Sequence, residues 1–477
     1  MNMRHNLKFY IDGQWVDPLG GRVIDVIDPA TEEAAGQVAL GAVADVDRAV
    51  GAACRAFDTF SRTSVEERLV LFDRIIALYK ARMADLAHVM TIEMGAPTWL
   101  SEQMQAVLGL IAFQNAREVM ATFAFSRMEG TTRIVREPIG VCALITPWNW
   151  PINQVAAKVA PALATGCTML LKPSEVSPFS ATILAEIMDE AGVPPGVFNL
   201  VHGDGPGVGA RMSEHPEVDL VSFTGSTRAG VEIARAAAPT VKRVCQELGG
   251  KSANIVLPSA DLAKAVGEGV ATMMMNSGQN CNAPSRMLVP AAQMEEVKRL
   301  ARTAADEQQP GPPQSNAKMG PVVSELQWTK IQKLIKVGMA EGATLVAGGP
   351  GKPEGLETGY YVKPTVFADV TNDMTIAREE IFGPVLVILG YEDVEQAIRI
   401  ANDTPYGLAG YVQGEPEEAQ AVAARLRAGQ IMLNGADYDF KAPFGGFKQS
   451  GNGREWGKYA FDDFLEYKAV IGVAGAE

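Results

Sequence analysis

Histidine and cysteine are scarce in this sequence, and neither occurs in a pattern typical of a metal site. The 477 residues include four histidines and five cysteines, with no H-E-x-x-H motif and no C-x-x-C pair. Five widely spaced cysteines are also an odd number, which argues against a disulfide framework. We therefore expect no bound metal and a reducing compartment.

The sequence also lacks an excess of positive charge and long apolar runs. The formal net charge is −14 and no Lys/Arg-rich run offsets it, so the overall field repels polyanions. No apolar stretch approaches the ~18 residues that a membrane span needs, and the segment from Met1 to Asn6 lacks the apolar core of a signal peptide. The sequence predicts a cytoplasmic protein that binds neither nucleic acid nor membranes.

Composition and strand pattern together predict an α/β protein with more than one domain. Hydrophobic residues make up 47% of the chain and charged residues 21%, as in ordinary globular proteins, and the length favours two or three domains. From Gly140, short apolar runs alternate with amphipathic helical stretches, which indicates a parallel, doubly wound sheet. A second alternation begins near Ala253, so we place a domain change near Gly249-Gly250. The predicted strands are 141–146, 168–172, 197–201 and 220–224 in the first sheet, and 253–257, 286–290, 344–347, 385–389 and 429–434 in the second.

Two further segments have strand-like character outside these alternations. Residues 124–136 are β-friendly and polar around a turn at Glu129-Gly130, and residues 464–473 form another such run. Protruding strands of this kind suit the pairing of subunits.

Cys281 is the best candidate for a nucleophile. It lies in a polar turn between a predicted helix at 262–275 and the predicted strand at 286–290. A free cysteine is most often a small buried hydrophobe, which is how we interpret Cys142. Around Cys281, backbone amides of a Gly/Asn turn can stabilise a thiolate, and a loop leaves the sulfur accessible to an electrophile.

Glu247 is the matching candidate for a general base. It ends a predicted strand and precedes Gly249-Gly250, two glycines that allow a backbone or ligand to approach closely. A glutamate in such a position is more often a solvated turn residue. Next to a nucleophile, however, its carboxylate could activate water.

Eight blocks of the sequence together resemble the aldehyde dehydrogenase superfamily. They occur in the family's order and spacing and cover almost the whole chain. The resemblance implies oxidation of an aldehyde to a carboxylic acid with NAD, in the hydrolytic, non-acylating branch of the family. The blocks are 146–151 (TPWNWP), 171–175 (LKPSE), 223–227 (FTGST), 247–251 (ELGGK), 278–286 around Cys281, 380–385 (EIFGPV), 443–446 (PFGG) and 453–455 (GRE).

The resemblance implies roles for four catalytic residues. Cys281 attacks the aldehyde carbon, and the resulting oxyanion is held by the Asn149 side-chain amide and the Cys281 backbone N–H. Removing one such donor typically costs on the order of 3 kcal/mol. Loss of hydride leaves a thioester on Cys281, and Glu247 activates the water that cleaves it. Glu455 resembles an acid that passes protons from this base, although a structural role for it is equally open.

The resemblance also implies which residues hold NAD. Lys172 and Glu175 match contacts to the adenosine ribose, and a carboxylate at Glu175 would repel a 2′-phosphate, so NAD is expected rather than NADP. Residues 205–210 fit a G-x-G-x-x-A fingerprint, but the family does not bind the pyrophosphate there, so Gly205 is expected to make at most an adenine-side contact. Pyrophosphate contacts are expected at a helix N-terminus. The full expected set is Thr146, Pro147, Trp148, Lys172, Ser174, Glu175, Gly205, Gly225, Ser226, Leu248, Glu380 and Phe382.

A tunnel for the aldehyde is implied in the same way. Ala157 stands where some acetaldehyde-oxidising relatives have a bulky aromatic residue, which indicates more room, and no arginine is present to bind a distal carboxylate. We expect a medium or bulky uncharged aldehyde, with aromatic aldehydes among the candidates. The expected lining is Trp150, Asn153, Gln154, Ala157, Met275, Asn280, Asn282, Tyr438 and Phe444.

The family's architecture gives the expected domains and assembly. A Rossmann-like NAD-binding domain would comprise residues 1–117 and 139–249, and a parallel α/β catalytic domain residues 250–449. Residues 118–138 and 450–477 would form a small β oligomerisation element, because family members extend the sheet of one subunit with a strand of another. A homodimer or homotetramer is expected.

Three other functions stay open on the sequence. A CoA-acylating dehydrogenase would share the thiol and cofactor but normally lacks the water-activating glutamate, so Glu247 favours the free acid as product. A thiol esterase or amidase could use Cys281 without any nucleotide, but no suitable histidine lies nearby. A non-catalytic scaffold protein would be expected to have lost some of Cys281, Glu247 and Asn149, and all three are present.

Overall fold

The computed structural model of the chain describes residues 5–473. Residues 1–4 and 474–477, which the predicted domain ranges include, lie outside the described residues. The N-terminal elements are β1 (Phe9–Ile11), β2 (Gln14–Val16), β3 (Arg22–Asp28), β4 (Glu33–Leu40), α1 (Val43–Phe60), α2 (Val65–Ala81), α3 (Met83–Met94), α4 (Thr98–Leu100), α5 (Ala106–Thr122), β5 (Ser126–Glu129) and β6 (Thr132–Pro138). Within residues 5–473, no helix combines the length and apolar character that crossing a membrane requires.

The remaining elements alternate between strands and helices, as the apolar pattern predicts. The first series is β7 (Val141–Ile145), α6 (Pro151–Thr165), β8 (Thr168–Lys172), α7 (Phe179–Glu190), β9 (Phe198–Leu200), α8 (Ala210–Glu214), β10 (Leu220–Thr224), α9 (Thr227–Ala237) and β11 (Arg243–Glu247). The second is β12 (Ala253–Val256), α10 (Leu262–Met274), β13 (Arg286–Pro290), α11 (Met294–Asp306), α12 (Glu325–Ala340), β14 (Thr344–Ala347), β15 (Thr365–Ala368), α13 (Thr375–Arg378), β16 (Val385–Tyr391), α14 (Val394–Asn402), β17 (Ala409–Gln413), α15 (Pro416–Ala423), β18 (Gln430–Leu433), α16 (Tyr459–Asp463) and β19 (Leu465–Ile471).

The first sheet has seven strands in the order β11-β10-β7-β8-β9-β1-β2. Its five strands from β7 to β11 pair in parallel, and every residue of β7, β8 and β10 is buried, which is typical of a sheet with helices on both faces. The predicted parallel sheet is nevertheless mixed, because the N-terminal hairpin of β1 and β2 adds antiparallel strands at one edge.

The second sheet also has seven strands, in the order β14-β15-β16-β13-β12-β17-β18. The prediction that residues 344–347 join a parallel sheet is wrong, because β14 pairs with β15 in antiparallel orientation. No helix lies between these two strands, and a parallel pair needs a long crossover that is usually helical. The other pairs in this sheet are parallel.

A three-stranded antiparallel sheet, in the order β19-β6-β5, forms the predicted small β element. Strand β19 pairs with β6 along its whole length, from Leu465 opposite Pro138 to Ile471 opposite Thr132. Because β6 lies in the middle, one edge of β19 has no strand beside it in the described chain. Its use in oligomerisation and the exact domain ranges stay predictions.

Residues 248–252 connect the two large sheets, where the carboxyl edge of the first sheet meets the amino edge of the second. Strand β11 ends at Glu247, and the segments after β7, β8 and β10 lie at the same carboxyl edge of the first sheet, where open α/β sheets bind ligands. The Cys281 loop precedes β13, at the amino edge of the second sheet. A Cβ on Gly250 would lie 2.5 Å from the carbonyl oxygen of Cys281. Only glycine therefore allows this approach.

Candidate active site

A cleft of about 680 Å³ contains residues from both large sheets. Three of the predicted catalytic residues, Cys281, Glu247 and Asn149, line it. So do seven of the predicted cofactor contacts. The lining residues are Pro147, Trp148, Asn149, Thr224, Gly225, Ser226, Glu247, Leu248, Gly249, Cys281, Gln327, Lys330, Glu380 and Phe382.

The loop that carries Cys281 is held in a fixed conformation. Helix α10 ends at Met274, and Asn276 and Ser277 then adopt left-handed backbone angles with φ of 54° and 55°, a region that residues other than glycine rarely occupy. Gly278 also has positive φ, and a Cβ there would overlap the backbone of Gly383. The loop therefore packs directly against the 380–385 block.

The Cys281 thiol is half-buried, in a negatively charged environment. Burial raises its pKa, and the carboxyl groups of Glu380, Glu247 and Glu455 raise it further. The backbone N–H of Asn282 acts in the opposite direction. Burial and the nearby carboxyl groups thus favour the protonated thiol over the thiolate.

Asn149 is buried, and it both donates a hydrogen bond to the Cys281 loop and accepts one from it. Its Nδ2 donates to the carbonyl oxygen of Gln279 at 2.9 Å, and its own carbonyl oxygen accepts from Asn276 Nδ2 at 2.9 Å. Gln279 is itself fixed, because its Oε1 accepts from the backbone N–H of Val323. These bonds hold the amide of Asn149 beside the nucleophile.

Glu247 is 3% exposed, and within the described chain neither of its carboxyl oxygens has a hydrogen-bond partner. Burial raises its pKa well above the usual range, and the nearby Glu455 adds to this, whereas Lys158 and Arg454 lower it. A buried polar group without a partner is costly to the fold. Glu247 is therefore an unpaired carboxyl group at the wall of the cleft.

Glu455 forms a buried ion pair with Lys158 close to Glu247. Lys158 Nζ lies 2.6 Å from Glu455 Oε1 and also donates to Ser222 Oγ at 3.1 Å. Lys158 was not among the predicted site residues. The sequence shows only a single lysine in the largely apolar segment that forms helix α6. In the structure, all residues of this helix but Asn153 are buried.

Other residues that line the cleft are of types that can contact the nicotinamide and the pyrophosphate of a dinucleotide. Trp148 and Phe382 pack edge to face with ring centroids 5.4 Å apart, and Glu380 accepts a 2.9 Å hydrogen bond from the backbone N–H of Gly250. Ser226 caps the N-terminus of α9 by accepting from Ala229 N–H. Three further predicted contacts line the cleft: Leu248 is buried, and Pro147 and Gly225 are partly exposed.

Five predicted cofactor residues lie outside the lining of this cleft. Lys172 is buried at the end of β8 and donates to the carbonyl oxygen of Gly203 at 2.7 Å and to Glu175 at 3.3 Å. Ser174 lies between them and accepts from Val176 N–H. Gly205 begins a wide helical turn that Asp204 caps through Gly207 N–H. The fifth residue, Thr146, is buried after β7.

A second cavity, of about 610 Å³, adjoins the site and contains eight of the nine predicted substrate residues. Ala157 instead lines a neighbouring cavity of about 390 Å³. Leu108, Asn153, Phe440 and Trp456 line both cavities, so the two are neighbours. The larger one is lined by Met104, Leu108, Trp150, Asn153, Gln154, Met275, Asn280, Asn282, Tyr438, Phe440, Phe444, Glu455 and Trp456.

Five of the thirteen residues that line the larger cavity are aromatic, and several of its polar groups bond to one another. Trp456, which the sequence analysis missed, packs against Phe444 and Phe440 at centroid distances of 4.7 and 5.0 Å. Trp150 Nε1 donates to Asn280 Oδ1 at 2.7 Å, and Asn282 Nδ2 donates to the Tyr438 hydroxyl at 2.9 Å. These amides thereby hold the rings in place.

Comparison with known proteins decides the family. The model of the aldehyde dehydrogenase family matches residues 15–470. The chain belongs to this family. The resemblance based on eight sequence blocks is therefore confirmed, and the protein is an aldehyde dehydrogenase.

Individual family members support the same assignment. A 3-succinoylsemialdehyde-pyridine dehydrogenase from a Pseudomonas species is 58% identical over 477 residues, covering 99% of this chain and 100% of the relative. A mutant of aldehyde dehydrogenase C from Pseudomonas syringae, solved with NAD+ and octanal, is 52% identical with a TM-score of 0.98, covering 99% of this chain and 98% of that chain. Betaine aldehyde dehydrogenase from Staphylococcus aureus, solved with NAD+, is 35% identical with a TM-score of 0.96, covering 100% and 96%.

Proposed function

We propose that this enzyme oxidises medium-sized or bulky uncharged aldehydes, aromatic ones among them, to carboxylic acids with NAD+. The observation that carries the proposal is that Cys281 and the unpaired, buried Glu247 line one cleft. A nucleophile that forms a thioester and a base that activates water are the two groups that this reaction needs.

The residues of the cleft fit a bound dinucleotide. Gly225 and Ser226 stand at the N-terminus of α9, where backbone N–H groups favour phosphate, and Glu380, Phe382 and Trp148 lie at the other part of the cleft, beside Cys281. Bound NAD+ supplies the hydride acceptor. Glu175, next to Lys172, accepts hydrogen bonds from ribose hydroxyls and repels a 2′-phosphate, which is why NAD+ is preferred over NADP+.

Each catalytic residue has a defined role in this proposal. Cys281 Sγ attacks the aldehyde carbon, while Asn149 Nδ2 and the Cys281 backbone N–H donate to the developing oxyanion. After the hydride has left, the acyl group remains on sulfur, and Glu247 takes a proton from the water that attacks it. Glu455, paired with Lys158, sets the charge around Glu247. The products are the carboxylate and the free thiol.

The shape and chemistry of the substrate cavity support the substrate class. Tyr438, Phe440, Phe444, Trp456 and Trp150 give it large apolar faces, and it contains no arginine or lysine that would bind a distal acid group.

One assay tests the substrate, the cofactor and the nucleophile together. NADH formation is followed by absorbance with purified protein across aliphatic, aromatic and semialdehyde substrates, with NADP+ and CoA in parallel and with Cys281→Ser as the matched variant. We expect NAD-dependent turnover that Cys281→Ser abolishes. Higher kcat/KM for short or acid-bearing aldehydes than for benzaldehyde would contradict the substrate class, and CoA-stimulated turnover would contradict the hydrolytic mechanism.

We also propose a homodimer or homotetramer, built through the free edge of β19. Tyr467, Val470 and Ile471 on this strand are exposed, and an exposed apolar edge strand is a site for pairing with another chain. Light scattering coupled to size-exclusion chromatography tests this, and a monomer at micromolar concentration would contradict it.

A further inference from the structure

Three amide side chains next to Cys281 form a closed ring of hydrogen bonds. Asn149 Nδ2 donates to the carbonyl oxygen of Gln279 at 2.9 Å, and Gln279 Nε2 donates to the carbonyl oxygen of Asn276 at 3.1 Å. Asn276 Nδ2 closes the ring by donating to the carbonyl oxygen of Asn149 at 2.9 Å. Asn149 and Asn276 are 2% exposed and Gln279 is 0% exposed, so the ring lies away from solvent and its bonds are strengthened.

The ring requires each amide to present its NH2 group to the next carbonyl oxygen. An amide turned the other way would present its own oxygen, which cannot donate. A donor that binds the amide oxygen therefore favours the required orientation. For Gln279 this donor is the backbone N–H of Val323, which lies 2.9 Å from Oε1. For Asn276 the donor is Gln105, whose Nε2 lies 3.4 Å from Asn276 Oδ1.

Gln105 reaches Asn276 from a widened helical turn beside the substrate cavity. Residues Ser101–Gln105 form a π-helical turn between α4 and α5, a rare geometry that is frequent at functional sites. Met104 in this turn lines the substrate cavity. Gln105 is 0% exposed, and its Nε2 also approaches Met94 Sδ at 3.9 Å. The turn therefore carries one residue of the cavity and one of the amide network.

The stability of the fold does not account for an amide at residue 105. Within the described chain, Gln105 Oε1 has no hydrogen-bond partner, and a buried polar atom without a partner destabilises a protein. A methionine of similar length would remove this unpaired oxygen and would leave Asn276 Oδ1 unpaired instead. The main difference between the two side chains is thus the hydrogen bond that Gln105 donates to Asn276.

We propose that Gln105 is a positioning residue for the oxyanion donor, because it orients Asn276 and Asn276 holds Asn149. This inference rests on the proposed role of Asn149 in binding the oxyanion. Asn149 Nδ2 carries two hydrogens, of which the ring uses one and leaves the other for the aldehyde oxygen. Gln105 lines neither the cleft nor the substrate cavity, so it acts on the reaction only through Asn276.

The first test compares Gln105→Met with Gln103→Met. Gln103 lies in the same turn and is exposed, so it controls for the change of side chain. Enzyme in excess is mixed with octanal and saturating NAD+, and NADH formed in the single turnover is followed by stopped-flow absorbance. We expect the rate to fall about tenfold in Gln105→Met and less than about twofold in Gln103→Met. Steady-state KM values for octanal and NAD+ are expected to stay within about threefold of those of the wild type.

A double variant separates positioning from general damage. In an Asn149→Ala background, the donor that Gln105 positions is gone, so adding Gln105→Met is expected to slow the single turnover by less than about twofold. If Gln105 supported another part of the site, its loss would again cost about tenfold in this background. The melting temperatures of Gln105→Met and the wild type are expected to agree within about 3 °C, because one unpaired buried oxygen replaces another.

Asn276→Gly provides the test if Gln105→Met does not fold. Asn276 has φ of 54°, which glycine adopts readily, so this variant removes the amide and keeps the backbone angle. Ser277 has φ of 55°, and Ser277→Gly therefore measures the effect of a glycine in the same loop. We expect Asn276→Gly to slow the single turnover about fivefold more than Ser277→Gly does.

Three results would overturn the inference. A wild-type rate in folded Gln105→Met would show that Asn149 needs no support from Gln105, and additive losses in the double variant would show that Gln105 acts on another part of the site. Equal rates in Asn276→Gly and Ser277→Gly would show that the ring does not position Asn149. Failure of the proposed function looks different, because Asn149→Ala alone would then leave the rate unchanged.

Discussion

The side-chain amide of Asn149 donates a 2.9 Å hydrogen bond to the carbonyl oxygen of Gln279, two residues before Cys281. An amide NH2 group carries two donor hydrogens, so one remains for the oxygen of a bound aldehyde. In the mechanism proposed above, the contact that stabilises the loop also positions the donor for the oxyanion. A change that moves the Asn149 side chain is therefore expected to affect both the loop and the oxyanion.

Replacing Asn149 with alanine is expected to lower kcat by about 10²–10³-fold, because one preorganised oxyanion donor is lost. Steady-state NADH formation measures this. Asn153→Ala is the control, since Asn153 lines the substrate cavity but is outside the Cys281 cleft, and it should change KM more than kcat. A fall in kcat as large in Asn153→Ala as in Asn149→Ala would argue against a specific role for the amide.

The Cys281 thiol is expected to react slowly at neutral pH and faster as the pH rises. Its pKa is raised by burial and next by Glu380, so the reactive thiolate forms only in alkaline solution. Alkylation by iodoacetamide, followed by intact mass in a Cys54→Ser background because Cys54 is also accessible, should accelerate from pH 7 to 10. Glu380→Gln should accelerate it at every pH in this range. A rate independent of pH would mean that the thiolate is already present.

Glu247→Gln is expected to stabilise the fold while removing hydrolysis of the thioester. The folded pKa of Glu247 lies above the ordinary value of 4.5, so ionisation favours the unfolded chain, and this penalty grows as the pH rises above 4.5 toward the folded pKa. The variant should melt roughly 1–3 °C higher at pH 8 and show a smaller gain at pH 5. Calorimetry at both pH values checks this, with exposed Glu392→Gln as the control. An equal or lower melting temperature at pH 8 would contradict it.

The sequence predicts the interior of the fold better than its edges. Strands β8, β10 and β13 have the predicted bounds because buried strands are continuous apolar runs between turns. The apolar run at β14 predicts a strand but not its orientation, which follows from the absence of a helix between β14 and β15. The place of the N-terminal hairpin depends on β9, which lies far away in the sequence. The mixed character of both sheets therefore appears only in three dimensions.

In the active site, too, the sequence predicts which residues are present but not which of them are in contact. Motifs locate Cys281, Glu247 and Asn149, which do line one cleft. No motif indicates that Lys158 pairs with Glu455, 297 residues away, or that Trp456 packs on Phe444. The C-terminal segment packs against the first sheet, which lies far from it in the sequence. Local sequence patterns do not predict contacts between such distant segments.

Ala157→Leu is expected to narrow the range of substrates. Ala157 lines the smaller cavity, which shares four lining residues with the substrate cavity, so a larger side chain is expected to reduce the space for a long or bulky aldehyde. We expect kcat/KM for octanal to fall about tenfold or more and that for acetaldehyde, the internal control, to stay within about threefold. Equal losses for both aldehydes would indicate general damage to the site.

Glu175→Ser is expected to raise the use of NADP+ relative to NAD+ by about tenfold or more. Removing this carboxylate ends its repulsion of a 2′-phosphate and leaves Lys172 without its acidic partner at 3.3 Å. The ratio of kcat/KM values for the two cofactors measures the change, with exposed Glu190→Ser, at the end of α7, as the control. An unchanged ratio would place cofactor discrimination elsewhere.

The Gly249-Gly250 junction also sets a boundary for recombination between homologous enzymes. Glu247 ends a strand of one sheet, and Cys281 precedes a strand of the other. A crossover at this point would leave each sheet entirely from one parent. Such a chimera would nonetheless combine Glu247 of one parent with Cys281 of the other, so that one cleft would be lined by parts that had not evolved together.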